Sequence, residues 1–328
     1  MKPWKTDVAV LLIFFVRDDT FSKVFESVKK ARPRKLLLWQ DGPRADKPSD
    51  IDGIMKCRKI AENIDWDCEV YKVYNEKNYG CDPSTFYADK WAFSIVDKCI
   101  VLEDDQMPSQ SFFTFCKELL DKYENDTRIS HICGYNTLKD AKWCKEDYLF
   151  SYAGSGAWAS WKRVAENWDE EYTFLDDKQA MQNINLHFGK KSNEWIAYAK
   201  RHKVSGAAHW ESIVGMGAHL QSQYAIIPKH NLVQNLGISQ NATHSSVDKL
   251  EVIPKKDRQI YVNEAQEIMF PLKHPKYVIP DATYDELRSK ELYPSNIQKI
   301  LRKAEYAFNL LKYGKFDVIQ KRFLRKSR

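Results

Sequence analysis

From Val8 to Val16 the chain runs through an unbroken apolar stretch, "VAVLLIFFV", with Asp7 before it and "RDD" after it. A continuous β-branched and aromatic run of this length predicts a strand covered on both faces. In "TFSKVFESVKKARP" the apolar positions change period: Phe21, Val24, Phe25 and Val28 share one helical face, and Pro33 stops the helix. "KLLLWQ" reads as a second buried strand, closed by the turn "DGPR". The alternation continues with a helix near 50–64, a strand at 68–74, a helix near 84–97 and a fourth strand, "CIVLE". "SQSFFTFCKELLDKY" then returns to helical spacing at Phe112, Cys116, Leu119, Leu120 and Tyr123, with serines available to cap its start. Such alternation predicts an α/β architecture.

Beyond about residue 150 the pattern is mixed. Aromatic-rich and short helical stretches follow one another without a repeat of fixed period, residues 245–285 are rich in Lys, Asp and Pro, and residues 286–328 are mainly helical in pattern. No strong linker separates a second independent domain. The expected organisation is one α/β domain over residues 1–245, followed by an irregular segment and a helical basic extension over residues 246–328.

Composition and charge narrow the function classes. At 328 residues, 43% of them hydrophobic, the chain is long enough for a sizeable core and too apolar for general disorder. The seven cysteines are scattered, without a CxxC pair or a zinc-ligand spacing, and read as buried thiols in a reducing, cytoplasmic compartment. The run at Val8–Val16 is far shorter than the roughly 20 residues that span a bilayer, and no small-residue cleavage site follows it. The tail from Lys312 to Arg328 carries seven basic residues and one acid, as much positive charge as the whole chain's net +6. The rest is therefore neutral, which disfavours nucleic-acid binding by the main body. Within the tail Phe316, Ile319 and Phe323 recur at helical spacing among the basic residues. Two readings stay open: a helix lying on the anionic inner face of a membrane, or a terminal helix packed on the body.

The candidate chemistry lies at the strand ends. "CIVLEDDQMP" places Glu103, Asp104 and Asp105 between a buried strand and a helix, where adjacent negative charges need a positive partner. Arg17 and Asp41 fall at the ends of the first two strands, and in open α/β sheets ligands bind beyond such ends. An acidic turn capping the next helix is the plainer account of an isolated EDD.

More than EDD is present, however. "VLLIFFVRDDTFSKVFESVKKARPRKLLLWQDGPR", "NEKNYGC", "VLEDDQMPSQSFFTF", "GSGAWASWKR" and "IIPKHNLVQNLGISQNATHS" occur in order over residues 5–245. With these motifs the chain resembles a bacterial nucleotide-sugar glycosyltransferase of the GT-A fold, of the polysaccharide-assembly type. Over its first half it is also similar to N-acetylglucosaminyltransferase I. The resemblance implies a Rossmann-like mixed sheet flanked by helices, a nucleotide diphosphate sugar as donor (a UDP-sugar favoured), and a saccharide or lipid-linked acceptor. It also implies Mn²⁺ or Mg²⁺ held by Asp105, with Asp104 facing the ribose and Glu103 supporting the turn. Arg17 would approach the donor phosphates, Asp41 would read the base, and Asn78 and Gly80 would pass close to the nucleotide. His244 would approach the diphosphate.

An inverting transfer also needs a general base. Glu211 in "HWES" matches the family's Trp-acid pair, where the family usually has Asp, and Asp176 and Asp177 are rivals for the role. Trp158, Trp161 and Trp210 are candidates for a face on which a sugar ring stacks, against the plainer reading of core tryptophans. Two other functions remain in view: a catalytically silent sugar-binding or cell-surface interaction protein on the same fold, and a sugar-1-phosphate nucleotidyltransferase. The latter expects a Gly-rich loop after the first strand, which "FFVRDDTF" lacks.

Overall fold

The computed structural model describes residues 1–154, 156–189, 192–238, 249–292, 294–315 and 318. The first apolar run forms β1 (Ala9–Phe14), buried at every position. The amphipathic segment after it forms α1 (Asp18–Ala31), which turns Phe21, Val24, Phe25 and Val28 inward. Fully burying a side chain of this size contributes about 1.5–3 kcal/mol. Asp18 and Asp19 in the first turn and Lys29 and Lys30 in the last complement the helix dipole. The chain leaves the helix at Arg32, in the left-handed conformation, with its N–H on the Val28 carbonyl. β2 (Lys35–Gln40), α2 (Asp50–Ala61), β3 (Glu69–Tyr74), α3 (Cys81–Ile95) and β4 (Lys98–Glu103) complete the alternation. After the acids come β5 (Gln106–Pro108) and α4 (Gln110–Lys122).

The second half supplies β6 (Ile129–Cys133), β7 (Tyr148–Ser151) and β8 (Trp158–Trp161). These are followed by α5 (Lys162–Ala165), α6 (Lys178–Phe188), α7 (Ser192–Ser205), α8 (Trp210–Leu220), β9 (Tyr224–Pro228) and β10 (Val233–Asn235). Among the described residues, eight strands form one sheet in the order β3, β2, β1, β4, β8, β6, β9, β7. The first four are parallel, β8 is antiparallel to both β4 and β6, β9 is parallel to β6, and β7 is antiparallel to β9. Side chains alternate between the sheet's two faces. Leu12, Phe14, Leu36, Leu38, Ile100 and Leu102 belong to the core shared with α1 and α4. Leu11, Ile13, Leu37, Trp39 and Val101 pack with Ala88, Ala92 and Phe93 of α3. This is the Rossmann-like mixed α/β class expected from the sequence.

α9 (Gln259–Val262), α10 (Ala282–Leu292) and α11 (Asn296–Lys312) form the C-terminal part. The segment between α9 and α10 is irregular, as its composition predicts, yet it is tied to the body. Glu267 accepts the N–H groups of Gln110 and Ser111 in the first turn of α4, at 2.9 and 2.7 Å, and Leu272 enters the main core. A carboxylate at that helix start satisfies two otherwise unpaired donors. No described helix is long and apolar enough to cross a membrane. Phe316, Ile319 and Phe323, on which the membrane-surface reading of the tail depends, lie outside the described residues.

The topology fixes where a ligand can sit. β2 and β3 build outward from β1 on one side and β4 lies on the other, so the strand order reverses between β1 and β4. At such a reversal the loops beyond the strand ends part and leave a crevice.

Candidate active site

A cleft of about 130 Å³ occupies that crevice, lined by residues from the ends of β1, β2 and β4 and the start of α3. Arg17, Asp41, Asn78, Gly80, Glu103 and Asp104 all line it, so six positions singled out in the sequence are brought together. Asp104 is buried, and its two oxygens are both engaged: one receives the Phe15 N–H at 3.1 Å, the other the Arg17 guanidinium. The second terminal nitrogen of Arg17 donates to Asp105 Oδ2 at 3.0 Å. A planar guanidinium is suited to this bridge because its fork presents two donors in fixed directions. Burial works against the charge on Arg17, but Asp104 and Asp105 more than offset it and hold the group firmly protonated. Burial, joined by Asp105, pushes the Asp104 carboxyl up, against the pull of Arg17 and the Phe15 N–H.

Glu103 is bound to its neighbour Gln106 in both directions. Gln106 Nε2 donates to Glu103 Oε1 at 2.9 Å, and Gln106 Oε1 accepts the Glu103 N–H at 3.1 Å. Burial, then Asp105 and Asp104, push the Glu103 carboxyl up to about 8, with Glu211 adding to the effect. Glu211, at the start of α8, therefore stands within electrostatic reach of Glu103 although it is far away in sequence. Its rivals have other employment. Asp177 caps α6 by accepting from Gln179 N and Ala180 N, and Asp176 pairs with Lys203.

Asp41 closes the opposite side. Its carboxylate accepts N–H groups from Gly42, Tyr79 and Gly80, all at 3.0–3.1 Å. Burial raises its pKa even so. Gly80 has φ +88°, a conformation that side chains rarely adopt. Asn78 Nδ2 donates to the Gly42 carbonyl at 2.7 Å, tying the "NEKNYGC" turn to the "DGPR" turn. Arg44 of that second turn pairs in bidentate fashion with Asp50, both bonds 2.7 Å, and stacks over Phe15.

The tryptophans fall differently. Trp158 is 5% exposed and packs among Phe93, Trp168 and His131, and Trp161 is buried with its Nε1 on the Leu120 carbonyl. Neither offers an open ring face for a sugar, which corrects the stacking expectation for Trp158. Two buried β8 residues face the two cores on either side of the sheet, and that placement accounts for their type. Trp210 is half-buried at the start of α8. His244 lies outside the described residues.

Three participants had not been singled out. Gln106 directly follows the acids, and its position was the only signal. Gly237, in the quoted "NLVQNLG", carries the 233–237 loop against Asp105: a Cβ there would stand 2.6 Å from Asp105 Oδ2 and 2.7 Å from Asn235 Oδ1. Gly237→Ala is expected to displace the Asp105 carboxylate from Arg17 and to cost about 1–3 kcal/mol by overpacking. A urea denaturation curve that matches the wild type would contradict this. Asp89, on the apolar face of α3, is fully buried with neither carboxyl oxygen hydrogen-bonded. Burial, together with the charge of Glu103, raises its pKa well above the usual range, which favours the neutral acid.

No protein-family model matches the chain, and no curated protein matches it in sequence. Among solved structures, the crystal structure of UDP-glucose pyrophosphorylase complexed with UDP-glucose is similar over 69% of this chain and 92% of that one, at 9% identity and a TM-score of 0.34. Likeness at that level has no bearing on reaction or ligand.

The remaining chemistry is that of the donor set. Glu103, Asp104, Asp105 and Glu211 are hard oxygen donors, and Arg17 is the cation paired with Asp104 and Asp105. Among the described residues no group of three or more His, Cys, Asp or Glu side chains is arranged to hold a metal on its own. A divalent cation such as Mg²⁺ or Mn²⁺ at these residues would be bound through one or two carboxylates with the other ligands taken from phosphate and water, and not in a closed protein cage.

Proposed function

We propose that the protein is a metal-dependent, inverting glycosyltransferase that moves a sugar from a nucleotide diphosphate donor, UDP-sugar favoured, to a saccharide or lipid-linked acceptor. The observation that carries this reading is the convergence of Arg17, Asp41, Glu103 and Asp104 on one cleft at the strand-order reversal, with Asp105 joined to its edge through Arg17. The connection from β1 to α1 is only Phe15 to Arg17, too short for a Gly-rich phosphate loop, which favours transfer over nucleotidyl chemistry.

In this reading Asp41 and the turn it organises take the base, while Asp104 takes the ribose side. Asp105 would hold the divalent cation, which would supply positive charge for the leaving diphosphate, and Arg17 adds its own. Glu211 accepts the proton of the acceptor hydroxyl as that oxygen bonds to the anomeric carbon. The bond from that carbon to the diphosphate breaks, and the diphosphate leaves with the electron pair.

Thermal shift with UDP, GDP and dTDP, each with and without Mn²⁺, tests the donor half. A ligand at a hundredfold excess over its Kd stabilises by about 2.7 kcal/mol. The expected result is a metal-dependent shift with one nucleotide, abolished in Asp105→Ala. Glu211→Gln should keep that shift and lose sugar transfer by two orders of magnitude or more, roughly the range of a general base. An unchanged metal-dependent shift in Asp105→Ala removes Asp105 from the metal site. Full transfer by Glu211→Gln removes Glu211 as base.

A further inference from the structure

A second cavity, of about 250 Å³, opens between the body and the C-terminal helices. Tyr135, from the loop after β6, forms part of its floor and is 4% exposed, its hydroxyl donating to the Ile260 carbonyl at 3.2 Å. Asn263 forms the adjoining wall. It is 2% exposed, and its side-chain Nδ2 has no hydrogen-bond acceptor, the one such buried atom among the residues lining the cavity. An unpaired buried amide nitrogen is destabilising unless something supplies an acceptor. Two ion pairs frame the opening: Lys256 with Glu291 at 3.3 Å and Arg302 with Asp257 at 2.7 Å.

We propose that this cavity holds one neutral sugar ring of the acceptor, with Asn263 Nδ2 donating to a ring hydroxyl. The proposal rests on the glycosyltransferase reading and adds the place where the acceptor is held. The two cations and two carboxylates cancel, so the opening favours neither an anion nor a cation. Together they present donors and acceptors side by side, which matches hydroxyl groups that do both. Tyr135, Ile260 and Leu292 add apolar surface for the carbon-rich faces of the ring. The volume is below the roughly 300–1,000 Å³ of sites for drug-sized ligands and is on the scale of a single ring.

The cavity also backs onto the first site. Asn231 donates to the Asn263 carbonyl and to the Val233 carbonyl, at 3.2 and 2.7 Å, and so links the cavity wall to the loop that carries Gly237 against Asp105. The phenols of Tyr135 and Tyr261 are pushed up first by burial and then by Asp105, which places that carboxylate near the floor of the cavity.

Saturation-transfer NMR on the full chain tests this, with methyl glycosides of hexoses, N-acetylhexosamines and hexuronic acids at millimolar concentration, with and without UDP and Mn²⁺. The expected result is binding of a neutral glycoside, weakened about tenfold in Asn263→Leu, in line with loss of a buried hydrogen bond. The double variant Lys256→Ala/Glu291→Ala alters the rim without changing net charge and is expected to weaken it too. Both variants should keep the wild-type nucleotide shift. No neutral glycoside bound, equal binding by both variants, or binding of the hexuronic acid alone would each overturn the proposal. If the nucleotide shift is absent from the wild type while glycoside binding depends on Asn263, the donor reading fails and the sugar site stands.

Discussion

Arg17→Met is expected to lower the unfolding free energy by about 3–5 kcal/mol, the usual consequence of removing one member of a buried ion pair. The side chain of Arg17 is 12% exposed and those of Asp104 and Asp105 are 4% and 15% exposed, so little water is available to replace the guanidinium. Methionine keeps the stem and removes only the charge and the donors. Arg17→Lys should recover little, because a single ammonium cannot reproduce a fork that reaches two carboxylates. Adding Asp104→Asn to Arg17→Met should restore much of the loss, since one uncompensated buried charge goes with it. The same variant distinguishes a cation site from a purely structural ion pair. With Arg17 gone, Asp105 and its neighbours lack their protein cation, and Mn²⁺ alone should raise the melting temperature of Arg17→Met more than that of the wild type. Urea titration measures the first effect and thermal melts with and without Mn²⁺ the second. A loss below about 1 kcal/mol would show that the pair is solvated and of little weight, and equal Mn²⁺ responses would separate the acids from metal binding.

This outcome also bears on an expectation from the sequence. Three adjacent acids call for a positive partner, and the resemblance places Arg17 at the donor phosphates. In the structure Arg17 itself neutralises Asp104 and Asp105. Both roles are compatible if Arg17 exchanges Asp105 for a phosphate oxygen when a metal–nucleotide complex enters. Spacing could place Arg17 and the acids at neighbouring strand ends, because β1 and β4 are each legible as unbroken apolar runs and pair in parallel. It could not show that the guanidinium turns back on the carboxylates, which depends on the three-residue connection before α1.

Elsewhere the limits have similar causes. β1, β2 and β4 were readable because each is a nearly continuous buried apolar run, β3, the half-exposed strand at the sheet's edge, because of its alternation, and α1 because it has one apolar stripe. β6 to β9 were not, because they are short and enter the sheet out of chain order, so no local period marks them. Asp41 was readable as a strand-end acid, but its N–H partners at Tyr79 and Gly80 arrive from the turn before α3. Trp158 left two readings open for the opposite reason. A tryptophan near a glycine-rich turn looks the same in sequence whether its ring faces a ligand or another helix, and only the register of β8 against β4 decides.

Asn231→Leu should be the second most damaging change, at about 3 kcal/mol or more, because it strands several buried groups together. Asn231 is fully buried. Its Oδ1 accepts the Asn136 N–H at 3.1 Å, and its Nδ2 reaches the carbonyls of Val233, Asn263 and Glu264 at 2.7, 3.2 and 3.2 Å. One side chain thus joins the loop after β6, the start of β10 and the segment after α9. Leucine is of similar size and leaves no cavity, so the loss reports on hydrogen bonds and not on packing. The effect should reach the acids, because β10 pairs antiparallel with β5 immediately after them and Leu236 N donates to the Asp105 carbonyl at 2.7 Å. The metal-dependent nucleotide shift should therefore weaken in Asn231→Leu at temperatures where the variant is still folded. A double-mutant cycle with Gly237→Ala measures the coupling, which for residues sharing one loop is expected at about 0.5–3 kcal/mol. Additive losses would mean that Asn231 holds the fold while the Asp105 loop keeps its position through β5 and β10 alone.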